Sequence, residues 1–132
     1  MPRRLLSTPL TVAFAVAFAL TAARGAQAQD AAAGAKVFNQ CKVCHVSASG
    51  AKSTLGPNLF GIIGRAAATV EGFRYSAGMK EKAAGGLVWN EETLRAYIAN
   101  PKAVVPTGNM SFPGLKNAQQ VTDVIAHLGT LK

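Results

Sequence analysis

The chain has 132 residues, with 14 Lys+Arg against 6 Asp+Glu for a formal charge of +8, and 49% of its residues are hydrophobic. That length makes one domain. The surplus of basic residues is moderate and spread along the chain, which excludes the dense basic patch of a nucleic-acid binder.

The N-terminus reads as an export signal. Arg3 and Arg4 form a positive n-region, Leu10 to Ala23 is uncharged and mostly apolar, and Ala26-Gln27-Ala28 is a small-x-small cleavage site. Residues 1–28 are therefore expected to be a cleavable signal peptide. Residues 29–132 then make one domain of 104 residues in the periplasm, where a chain of this size can build a modest core. An uncleaved anchor is the alternative, but the apolar run is shorter than the ~20 residues of a membrane span. Arg3-Arg4 also admits a twin-arginine signal. Removal of the signal leaves 11 Lys+Arg against 6 Asp+Glu, a formal charge of +5.

A first helix is expected from about Asp30, a suitable N-cap, to Cys44, with Val37 and Phe38 on its apolar face. It ends in Cys41-Lys42-Val43-Cys44-His45. Cys-x-x-Cys-His is the attachment signature of a c-type haem. Two thiols three positions apart can each reach one vinyl group of the same porphyrin, and the imidazole that follows falls under the iron. Three other readings compete. A thioredoxin-like dithiol wants a βαβ pattern, which the sequence lacks. A structural zinc site needs four ligands, and the cysteines are Cys41 and Cys44 while the histidines are His45 and His127. A disulfide between Cys41 and Cys44 closes a tiny loop and constrains little.

Val46 to about Tyr75 reads as loop, followed by a short helix near Ser76–Lys82. The next helix starts at the N-cap Asn90, with Glu91 and Glu92 suited to the positive end of its dipole, a Leu94/Tyr97/Ile98 stripe, and a stop at Asn100-Pro101. Pro101 to Lys116 again reads as loop. The last helix begins at Asn117, with Gln120 placed for a capping box and Val121, Val124, Ile125 and Leu128 at i, i+3, i+4, i+7. No repeat and no β-rich region is present. The expected class is all-α: three main helices, a short one, and long loops that wrap an apolar object. Loops this long are unusual in so small a domain, and a haem would account for them.

His45 supplies one axial position of the iron. For the other, the candidates are Met79, Met110 and His127. Met110 lies in the turn-rich loop Pro106-Thr107-Gly108-Asn109-Met110-Ser111-Phe112, suited to laying a thioether over a haem face, although a methionine is also a common gap-filler. His127 falls inside the last helix, where packing is its more ordinary use.

Taken in order, Gly34–Phe38, Cys41–His45, Gly56-Pro57-Asn58-Leu59, Gly64-Arg65, Gly72-Phe73-Arg74-Tyr75-Ser76, Trp89, Tyr97, Asn100-Pro101 and Met110 resemble the class I c-type cytochromes, nearest the cytochrome c2 and mitochondrial-type group. The resemblance spans the chain from residue 29 onward. It implies one covalent haem c on Cys41 and Cys44, with His45 and Met110 as axial ligands. It further implies a Pro57 carbonyl that takes the His45 Nδ1–H. Arg65, Tyr75 and Trp89 would hold an inner propionate, Tyr97 would pack near the methionine, and Phe112 would sit beside the exposed haem edge. Gly34 and Phe38 should pack the first helix on the last, near Ala126 and His127.

The pattern is broken at three places. Gly108 stands where a threonine is usual, Met79 where an asparagine is frequent, and Ala83–Gly86 reads as a short insertion.

The resemblance implies a soluble periplasmic one-electron carrier and not an enzyme. It would shuttle between membrane complexes, with a bc1-type donor and an oxidase or reaction centre as acceptor, and act as a monomer. Lys42, Lys52, Lys102 and Lys116 would steer acidic partners. A small haem peroxidase, an electron-transfer subunit of a larger dehydrogenase, and a haem-based gas or redox sensor are the alternatives. The sequence shows no added catalytic domain and no distal acid–base pair.

Overall fold

The computed structural model describes residues 28–132. The expected signal peptide lies outside the described residues except for Ala28. The first helix, α1, spans Ala31–Phe38. Asp30 caps it as expected, its carboxylate accepting from the Ala32 and Ala33 N–H groups at 2.9 Å. The helix is shorter than its sequence promised. After Phe38 the backbone goes over to turns, with Cys41 N–H on Phe38 O at 2.9 Å and His45 N–H on Cys41 O at 2.9 Å. Asn39 opens this stretch, a residue type whose side chain competes with helical backbone bonding.

Two short strands, β1 (Arg65–Ala66) and β2 (Val88–Trp89), pair antiparallel with Arg65 opposite Trp89. Between them α2 (Ala77–Ala84) starts at the N-cap Ser76, whose Oγ accepts from Met79 N–H at 3.2 Å. Residues 83–86, which the sequence reading takes for a short insertion, complete this helix and its exit. Gly86 has φ 88°, and the Leu87 N–H returns to Lys82 O at 3.1 Å. That left-handed exit is open to glycine without strain.

Helix α3 (Glu91–Ala99) carries a full capping box: Asn90 Oδ1 accepts from Thr93 N–H at 2.9 Å, and Thr93 Oγ1 accepts from Asn90 N–H at 3.0 Å. The segment after it was expected to be loop, yet Pro101–Val104 forms one more helical turn, α4. The proline that stops α3 has its φ pre-set for a first helical position and lacks only an N–H that would be unbonded there. The last helix, α5, spans Ala118–Gly129; Asn117 Oδ1 caps it through Gln119 and Gln120 N–H, without the reciprocal Gln120 bond that would make a capping box.

Helices α1 and α5 pack directly on one another. Gly34 permits it, since a Cβ there would run into the Asp123 carbonyl and lie 3.0 Å from His127 Cβ. Phe38 is fully buried and meets the His127 ring at 5.0 Å between centroids. The expected contact of Gly34 and Phe38 with the last helix is thus present, through Asp123 and His127. Asp123, itself buried, accepts from the Asp30 N–H at 3.0 Å and from Gln119 Nε2 at 2.7 Å, so the start of α1 is tied to α5. The stripe Val121, Val124, Ile125 and Leu128 is buried throughout. Among the described residues no helix is long and apolar enough to cross a membrane. The fold is small and mostly helical, and its helices and loops together enclose a cavity.

Candidate haem site

One cavity of about 530 Å³ is walled by residues from nearly every part of the chain. Its size is that of a pocket for a sizeable small molecule. Cys41, Cys44 and His45 form one side, and Met110 and Phe112 come from the loop after α4. Pro57, Arg65, Tyr75, Trp89 and Tyr97 complete the set of ten residues singled out in the sequence, and all ten line this cavity. Much of the rest is apolar, including Leu59, Ile62, Leu94, Ile98, Leu115 and Val124. These last residues were legible only as helix stripes or loop hydrophobes. Nothing in their spacing announced a shared wall.

The turns after α1 hold the Cys41 and Cys44 sulfurs on the cavity surface, and burial pushes the Cys41 thiol above its ordinary pKa. His45 Nδ1 lies 2.8 Å from Pro57 O. A carbonyl only accepts, so Nδ1 carries the proton and Nε2 is left as the donor atom for a metal. Burial lowers the His45 pKa and so favours the neutral ring that ligation requires, while the bond to Pro57 O works in the opposite direction. Gly56 passes against the face of this ring: a Cβ there would stand 2.6 Å from Nδ1 and 2.8 Å from Nε2. In the sequence Gly56 stands out only as part of the motif Gly56-Pro57-Asn58-Leu59.

Arg65 is anchored by two backbone carbonyls, Phe60 O at 3.1 Å and Asn58 O at 2.8 Å. Burial, partly offset by Tyr75, lowers its pKa. Tyr75 Oη accepts from the Val70 N–H at 3.2 Å, which leaves its own proton free to donate, and its ring stands edge-on to Phe73 at 4.8 Å. Trp89 is 7% exposed and packs on Tyr97 at 4.9 Å between centroids, and burial raises the Tyr97 pKa. Thiols for covalent attachment, a neutral imidazole, a thioether and a cationic donor share one largely apolar wall. That donor set fits a haem, with polar side chains where its carboxylates would need them.

Met79 also lines the cavity and is 9% exposed. His127 lies outside it, packed on Phe38. Burial, reinforced by the Lys42 charge, lowers the His127 pKa. Among the described residues no three His, Cys, Asp or Glu side chains gather as metal ligands, so the zinc alternative lacks its donor set. Lys42, Lys52, Lys102 and Lys116 are all exposed. Two of them are engaged with backbone: Lys102 Nζ donates to Gly108 O, and Lys116 Nζ to Pro113 O at 3.0 Å.

The comparisons agree with this geometry. The model of the cytochrome c family matches residues 31–132. Cytochrome c2 of Blastochloris viridis is 48% identical over 103 residues, covering 78% of this chain and 79% of that protein. Cytochrome c-554 of Methylosinus trichosporium is 46% identical over 119 residues, covering 90% and 88%. Among solved structures, ferricytochrome c2 from Rhodopseudomonas palustris superposes with a TM-score of 0.73 at 37% identity, covering 79% of this chain and all of that one. Cytochrome cH from Methylobacterium extorquens superposes with a TM-score of 0.70 at 39% identity, covering 76% and 98%. The chain belongs to the cytochrome c family, as a class I c-type cytochrome of the c2 group with one covalently bound haem c.

Proposed function

We propose that this chain is a soluble periplasmic one-electron carrier, exported by way of residues 1–28, whose haem iron is held between His45 and Met110. The observation that carries the reading is the convergence of Cys41, Cys44, His45 and Met110 on one apolar cavity. Bound there, a haem supplies a ferric/ferrous couple. The protein's part is to hold it. Cys41 and Cys44 form the covalent attachment. His45, oriented through Nδ1 by Pro57 O, presents Nε2 to the metal. Met110, on the same cavity, would give the metal its second side-chain ligand, and a thioether ligand would raise the reduction potential. With side chains as both ligands, no substrate site would remain at the metal, in keeping with a carrier and not a catalyst. Arg65, Tyr75 and Trp89 would donate to the inner propionate. Tyr97 packs near Met110 and Phe112 closes the wall at the exposed edge. Lys42, Lys52, Lys102 and Lys116 steer membrane redox complexes with acidic docking faces, a bc1-type donor and an oxidase or reaction centre as acceptor, in salt-sensitive encounters.

Visible and near-infrared spectra of the ferric holoprotein test the reading. A low-spin spectrum with an iron–methionine charge-transfer band is expected. Met110→Ala should abolish that band and open the metal to external ligands, while Met79→Ala should leave it in place. A high-spin parent protein, or rapid carbon monoxide binding to its ferrous form, overturns the closed electron carrier in favour of a catalytic or sensing role.

A further inference from the structure

Helix α2 carries a glycine at its second residue, where glycine is among the least favourable choices. Gly78 is buried, and it is absent from the glycines with positive φ, so its backbone alone does not call for glycine. Space does. A Cβ at Gly78 would run into Thr107 Oγ1, and would lie 3.2 Å from the Thr107 carbonyl carbon and 3.3 Å from its Cβ. Thr107 therefore seats in the gap that the missing side chain leaves on α2. It stands three residues before Met110, in the loop that follows α4.

The far end of that loop is held on α3 by Leu115 N–H on Ile98 O at 2.9 Å, whereas the hydrogen bonds next to Thr107 are local. Gly108 N–H bonds to Val105 O at 3.0 Å, and Lys102 Nζ, from α4 six residues earlier, donates to Gly108 O. The seat on Gly78 instead ties the loop to a distant part of the chain. The residue next to Gly78, Met79, lines the same cavity as Met110.

We propose that Gly78 and Thr107 form a socket and a knob that set the position of the Met110 loop over the cavity, so that α2 governs how firmly Met110 stays on the iron. This rests on Met110 being the axial ligand. Gly78 and Thr107 are positioning residues: they act through the loop and touch neither the iron nor an electron partner.

The test is an imidazole titration of the ferric holoprotein, following loss of the iron–methionine band as imidazole displaces Met110. Overpacking the socket with Gly78→Ala should raise imidazole affinity about tenfold. In a Thr107→Ala background the colliding Oγ is gone and only the 3.2 and 3.3 Å contacts remain, so Gly78→Ala should then raise the affinity no more than about threefold. Thr107→Ala alone empties the socket and should raise the affinity about two- to threefold, which keeps the idea testable if Gly78→Ala does not mature. An unchanged affinity in Gly78→Ala, or in Thr107→Ala, overturns the proposal. So does an equal rise on adding Gly78→Ala in both backgrounds, which would mark a general helix effect. Met110→Ala separates the two levels of failure: if that variant keeps the band, the ligand reading itself falls.

Discussion

Replacing Gly56 by alanine is the most direct test of how His45 is held. Gly56 is not among the residues with positive φ, so its backbone tolerates an alanine. On chain entropy alone Gly56→Ala should stabilise the protein by about 0.4–1 kcal/mol. The structure reverses that sign. The new methyl would stand 2.6 Å from His45 Nδ1 and 2.8 Å from Nε2, well inside van der Waals contact. Either the ring tilts and loses its 2.8 Å bond to Pro57 O, or the 54–58 segment moves away. The first route costs about 0.5–1.5 kcal/mol for the hydrogen bond, and overpacking adds about 1–3 kcal/mol. The expected net loss is therefore about 2–3 kcal/mol. In a domain near 100 residues that is a fall in Tm of about 8–24 °C. Guanidinium and thermal unfolding of the holoprotein, followed by Soret absorbance and far-UV circular dichroism together, measure it. A Gly56→Ala protein as stable as the parent, or more stable, would refute the claim that the glycine exists to let the imidazole lie flat.

The other expectations are smaller in scope. Asn90→Ala removes the cap of α3 and leaves Thr93 N–H without its side-chain acceptor; a loss of about 1 kcal/mol, or about 4–8 °C in Tm, is expected by calorimetry, and no change would mean the capping box is idle. Burial and the Lys42 charge hold the His127 pKa below its ordinary 6.5. The folded protein then binds fewer protons than the unfolded chain, so this contribution to stability is whole above about pH 6.5 and is lost as the pH falls toward the depressed folded value. His127→Gln should flatten the decline in unfolding midpoint between about pH 7 and 5. His45 is common to both proteins, so an identical slope in parent and variant counts directly against the His127 assignment.

The covalent chemistry of this chain could be read from residues 41–45 because it depends on spacing along a few bonds. Helix caps at Asp30, Asn90 and Asn117 were equally legible, since a cap is satisfied within three residues of its own position. The apolar stripe of α5 identified its buried face for the same reason. Where neighbouring signals compete, local pattern misleads: the sequence predicts helix through the turns after Phe38 and loop at the helical turn Pro101–Val104. Contacts across the chain were another matter. Resemblance named ten residues between Cys41 and Phe112, but only the tertiary structure brings them to one cavity, keeps His127 out of it and admits Met79. It also decides what Gly56 and Gly78 are for, because a glycine chosen for close approach owes its identity to a neighbour elsewhere in the chain, His45 in one case and Thr107 in the other. Local sequence determines what can be satisfied within a turn or two, whereas steric fit between distant segments exists only once the loops have closed on a common interior.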